Sequence, residues 1–184
     1  MTQPLAAAMQ ATRTVLANVS ADQLAKPTPC ASWDVAALID HIIGAQGFFQ
    51  AAVEGKPPSP PESSPSAGDY LAAYDKATNS CLSAFNVEGV LEGTVKAPFG
   101  DMPGMAFMGL AINDTLTHGW DLAKATGQST DIAPELSAMV LKQVEASFQE
   151  SFRGEEGAPF GPAKPAPANA TNADKLAAFL GRDV

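Results

Sequence analysis

Basic residues are scarce in this sequence: Lys and Arg number 11 against 20 Asp and Glu, a formal net charge of −9. With a pI near 4.5 there is no basic stripe for a phosphate backbone or an anionic bilayer surface, so neither nucleic acid nor membrane is an expected partner. Cysteine, histidine, tryptophan and tyrosine are rarer still, at two residues each. Cys30 and Cys81 form neither a disulfide framework nor a C-x-x-C pair, which points to a reducing cytoplasm. No secretory leader is expected, because Gln10, Thr12 and Arg13 interrupt the first apolar run. No uncharged apolar stretch approaches the ~18 to 20 residues that span a bilayer. Without a G-x-G-x-x-G or Walker pattern, no nucleotide site is expected.

What the sequence does have is helical periodicity. Apolar residues make up 46% of 184 positions, enough for a single domain, residues 1–184, with one substantial core. A first helix is predicted from about Pro4 to Val19, followed by a capping-box spacing at Ser20 and Gln23 and stops at Pro27 and Pro29. A second follows Ser32 and runs to about Val53, with Val35, Leu38, Ile39, Ile42, Ala45 and Phe49 on one stripe. The proline- and serine-rich stretch from Lys56 to Ala67 reads as a solvated connector. A third helix, Ala67 to Phe85, carries Cys81 on its apolar stripe, where a small core hydrophobe is expected.

The segment GVLEGTVKAPFGDMPG combines β-branched residues with glycines and predicts a short extended piece. Asp101 is then expected to cap a fourth helix, with Pro103 in its first turn and Gly127 at its end. A fifth helix is predicted from near Pro134 to before Gly154, then a proline-rich arm, GAPFGPAKPAPANAT, and a last short helix, ADKLAAFLG. The expected fold is all-α, with bundle-crossing connections between helices two and three and between three and four.

Chemistry concentrates in INDTLTHGW, residues 112–120, where Asp114 and His118 stand one helical turn apart on one face. Asp121 and Phe107 fall near the same stripe, and His41 sits at the edge of the second helix's apolar stripe. Two imidazoles and a carboxylate form a set that binds Zn²⁺, Ni²⁺, Fe²⁺ or Mn²⁺ with vacant positions. The same residues also read as a satisfied core histidine, or as a carboxylate that merely orients an imidazole. Asp121 reads equally as a ligand, as an acceptor behind His118, or as a last-turn residue near Lys124. Trp33 and Trp120 are expected to be packing anchors.

Three segments, PTPCASWDVAALIDHIIGAQGFF, INDTLTHGWDLAKATGQ and FGPAKPAPANATNADKLAAFLGRDV, resemble the DinB-like superfamily. Within it, the likeness is to the N-terminal domain of mycothiol-dependent maleylpyruvate isomerase and its short single-domain relatives, over nearly the whole chain. The resemblance implies an up-down four-helix bundle holding a divalent metal, zinc foremost, through His41, Asp114 and His118, with aspartate where the isomerase has glutamate. It also implies mycothiol as a thiol co-substrate and an electrophilic second substrate. The isomerase carries a further C-terminal domain that contributes to its active site, so maleylpyruvate isomerisation itself is not expected of a chain that ends at Val184. Two functions follow: a metal-dependent, thiol-using transferase or isomerase-like enzyme, or a non-enzymatic metal-binding bundle with a stability or sensing role. The lightly charged surface admits a homodimer.

Overall fold

The computed structural model describes residues 1–59, 63–154 and 160–184. Parts of the expected connector (60–62) and of the expected C-terminal arm (157–159) lie outside those residues. Among the described residues six α-helices carry the fold: α1 Gln3–Leu16, α2 Val35–Val53, α3 Tyr70–Phe85, α4 Gly104–Thr126, α5 Pro134–Ser147 and α6 Asn172–Phe179. The extended piece expected between α3 and α4 is an antiparallel hairpin, β1 Thr94–Ala97 and β2 Gly100–Pro103, with Val95 opposite Met102. Among the described residues the fold is all-α apart from this hairpin.

Helix starts differ from expectation where a better acceptor was available. α2 begins at Val35 rather than directly after Ser32, and Asp34 caps it, its carboxylate accepting from Ala37 N at 2.9 Å. Asp69 does the same for α3 through Ala72 N at 3.0 Å, so α3 begins at Tyr70 and Pro65–Ala67 forms a separate 3-10 turn. Asp101 caps nothing. It lies in β2 opposite Lys96, and Pro103 precedes α4. The first amides of α4 donate instead to backbone, Gly104 N to Gly93 O at 2.9 Å and Met105 N to Leu91 O at 3.0 Å, so no side-chain cap is required there. The end of α4 is as expected, with Gly127 left-handed at φ 72°. α5 ends at Ser147, earlier than expected, and a 3-10 turn follows at Glu150–Phe152.

Four helices enclose the core. α1 lies against α4 and α3, and α2 lies against α3 and α4. α1 and α2 therefore stand on one diagonal, α3 and α4 on the other. Of the two crossings expected, the one between α3 and α4 is real; the other lies between α1 and α2, because the proline-rich connector joins neighbours. The stripe of α2 is buried apart from Ala45, which is half-buried against the core, and Val35, Leu38 and Ile39 have no exposed surface. By length and composition this 19-residue helix is apolar enough to cross a membrane. Here its apolar side is the centre of the bundle. Cys81 is fully buried on α3, and burial pushes its thiol up to about 12, as befits a core hydrophobe.

Gly119 marks where α1 and α4 touch. A Cβ there would stand 2.4 Å from Thr12 Oγ1, which donates to Thr115 O at 2.9 Å. The close approach of the two helices thus depends on a residue without a side chain, beside His118.

Candidate metal centre

The helical repeat of α4 aims Asp114 and His118 at one point, and packing of α2 on α4 brings His41 to the same point. The two imidazole centroids are 4.5 Å apart at 76°. Asp114 Oδ1 is 3.7 Å from His41 Nε2 and 3.7 Å from His118 Nε2. Those separations are too long for hydrogen bonds, but they suit atoms sharing one ion at about 2.0 to 2.2 Å from each. His41 Nε2 is inaccessible to solvent and has no hydrogen-bond partner among the described residues, an orphaned donor atom directed at this centre. By donor chemistry and spacing the three residues fit a divalent metal.

The other nitrogen of His118 is engaged. Nδ1 lies 3.0 Å from Asp121 Oδ2, and Asp121 is wholly buried. Asp121 also accepts from Arg182, Nε to Oδ1 at 3.2 Å and Nη2 to Oδ2 at 3.0 Å. Burial alone would lift the Asp121 carboxyl, but hydrogen bonds from His118 and the Arg182 charge outweigh it and hold it below the usual carboxylate range. Burial likewise disfavours the charged ring of His118, but hydrogen bonds with Asp121 and Cys30 and the charges of Asp114 and Asp121 prevail, pushing it up to about 10. Of the readings open for Asp121, the geometry selects the acceptor behind His118.

Cys30, His118 and Asp121 form a second trio within ligand distance of one another. Its atoms are already satisfied: the Cys30 thiol donates to Asp121 Oδ2 at 3.3 Å, and the same carboxylate serves His118 and Arg182. This is a hydrogen-bonded corner rather than a vacant donor set.

Around the centre lies an open cleft of about 1020 Å³. Its lining combines apolar Phe48, Phe99 and Leu110 with polar Asn113, Thr117 and Arg182. Trp33 packs its ring on His41 with centroids 4.4 Å apart at 30°, so it is part of the site wall as well as an anchor. Its loop is held locally by Thr28, whose hydroxyl donates to Trp33 O at 2.8 Å and accepts from Cys30 N at 3.1 Å. Trp120 is buried, as expected of an anchor. Sequence reasoning missed Cys30, Trp33 and Arg182 as site residues. The nearness of Cys30 and Trp33 to the start of the His41 helix was the available signal for those two; Arg182 had none.

A family model for the mycothiol maleylpyruvate isomerase N-terminal domain matches residues 5–123. Two uncharacterized proteins of Mycobacterium tuberculosis, from strains CDC 1551 / Oshkosh and H37Rv, are each 44% identical over 179 residues, covering 96% of this chain and 94% of theirs. Among solved structures, the crystal structure of the mycothiol-dependent maleylpyruvate isomerase is similar in fold, with a TM-score of 0.54 and 14% identity. That likeness covers 76% of this chain, which spans 66% of the isomerase chain.

Proposed function

The chain belongs to the mycothiol maleylpyruvate isomerase N-terminal domain family, and from that premise we propose that it binds a divalent metal, zinc foremost, and uses mycothiol in transfer or isomerisation chemistry. The observation that carries this reading is the orphaned His41 Nε2, which faces Asp114 and the Nε2 of His118 at the foot of an open cleft. His41, Asp114 and His118 would hold the ion. A divalent ion held there would act as a Lewis acid and lower the pKa of a thiol brought to it, supplying a nucleophile without a protein cysteine.

The chain's own residues do the rest. Asp121 keeps the Nδ1 side of His118 occupied and thereby turns Nε2 towards the centre. Trp33 covers the His41 ring and excludes water from one side. Phe48, Phe99 and Leu110 offer an apolar wall to an electrophilic substrate, while Asn113 and Thr117 offer hydrogen bonds to the polar body of the thiol. We assign these roles to a single domain, residues 1–184, working in the cytoplasm.

The test is a titration of the Co²⁺-substituted protein with mycothiol. A pH-dependent charge-transfer band together with release of a proton is expected. Retained metal with neither band nor proton release would overturn thiol chemistry and leave a metal-holding bundle as the better account.

A further inference from the structure

We propose that the C-terminal tail is a working part of the metal centre, with Arg182 a positioning residue that sets the orientation of His118 through Asp121. This rests on the metal reading above and concerns a segment that carries none of its ligands.

The tail is built to deliver that arginine. α6 opens with a capping box, in which Asp174 N donates to Thr171 Oγ1 at 3.1 Å and Thr171 N to Asp174 Oδ2 at 3.2 Å. It docks on α4 through Trp120 Nε1, which donates to Asp174 Oδ1 at 2.8 Å. It closes with a Schellman turn: Gly181 N donates to Ala178 O and Arg182 N to Ala177 O, each at 3.0 Å. Gly181 has φ 93°, and a Cβ there would stand 2.9 Å from Gly161 Cα, so this turn requires glycine. The backbone of Arg182 is therefore fixed before its side chain makes any contact.

From that position the guanidinium grips Asp121 with two nitrogens, Nε at 3.2 Å and Nη2 at 3.0 Å, while Nη1 donates to Leu180 O at 3.0 Å. A planar two-point grip defines the plane of the carboxylate, which a single hydrogen bond does not. The plane of the carboxylate in turn fixes the direction from which His118 Nδ1 is held, at 3.0 Å. Tail attachment itself does not depend on Arg182. Ala173, Leu176, Ala177 and Leu180 are buried, and Trp120 holds Asp174 independently. Beside His118, Arg182 supplies a permanent cation with a two-point grip on a carboxylate that has no exposed surface.

The experiment measures zinc Kd by chelator competition, with Co²⁺ spectra at saturating metal, for the full-length protein and its R182A, R182K and D183A variants. Removing such an outer partner lowers metal affinity about 10- to 100-fold, and this is expected for R182A, with shifted Co²⁺ ligand-field bands. R182K keeps the charge but not the two-point grip, and is expected to fall between R182A and wild type. D183A alters only an exposed pair with Lys164 and is expected to bind as wild type. A merely structural role would lower the melting temperature of R182A while leaving zinc Kd and the Co²⁺ bands as in wild type, and that result overturns the proposal. If R182A does not fold, R182K decides: intermediate affinity with shifted bands supports the proposal, and wild-type values overturn it. Absence of zinc binding by the wild-type protein overturns the metal reading itself, a result distinct from equal binding by wild type and variants.

Discussion

His41 on α2 and His118 on α4 hold their imidazole rings 4.5 Å apart, nearly edge to face, with Asp114 Oδ1 equidistant from both Nε2 atoms at 3.7 Å. Both Nε2 atoms are directed at a point where there is room for an ion but not a mutual hydrogen bond.

Substituting either histidine with alanine should therefore abolish stoichiometric zinc while leaving helical content largely intact. The bundle is held by the apolar faces of α1 to α4, not by this cluster. Elemental analysis and far-ultraviolet circular dichroism on the same samples check this. Loss of helix in both variants would identify a structural site instead.

Stability of the metal-free protein should fall as pH rises. His118 is pushed up to about 10 in the folded state, above its ordinary 6.5, so the folded protein holds that proton more tightly than the unfolded chain does. The resulting stabilisation is complete below pH 6.5 and fades between 6.5 and about 10. Metal requires the neutral ring, so zinc binding at pH 7 should displace about one proton and strengthen with pH. Calorimetry in buffers of differing ionisation enthalpy measures that proton. None released at pH 7 would show that Asp121 and Asp114 do not hold His118 charged.

Cys30→Ser should retain wild-type zinc stoichiometry, because the Cys30 thiol donates to Asp121 and a serine hydroxyl serves the same bond. Before any thiol is added, Co²⁺ spectra of both proteins should lack a thiolate band. A band present in wild type and lost in the serine variant would move the ion to the Cys30, His118 and Asp121 corner.

Gly119→Ala should lower stability by about 1 to 3 kcal/mol, the usual cost of overpacking, despite the roughly 1 kcal/mol by which alanine favours a helix over glycine. The added methyl must displace Thr12 and break its hydrogen bond to Thr115 O. Denaturant midpoints of G119A, T12A and the double variant check the coupling. The double variant should recover part of the loss, and strict additivity would contradict a contact at this point.

Local backbone geometry was legible from the sequence. Asp114 and His118 are one turn apart wherever the segment is helical, and Gly127 ends α4, because helical period and left-handed turns depend on neighbours in the chain. The stripe of α2 and the burial of Cys81 follow from the same periodicity. Boundaries were lost where backbone donors found distant acceptors: Asp101 is not a cap because the amides of Gly104 and Met105 bond to Gly93 and Leu91. The site as a whole was decided only in three dimensions. His41 reaches His118 because the apolar face of α2 packs on α4, Cys30 and Trp33 arrive with the loop before α2, and Arg182 grips Asp121 across 61 positions because α6 docks on Trp120. No local spacing encodes those meetings, since burial of apolar surface selects which faces join and the polar groups at their edges are carried together by that choice.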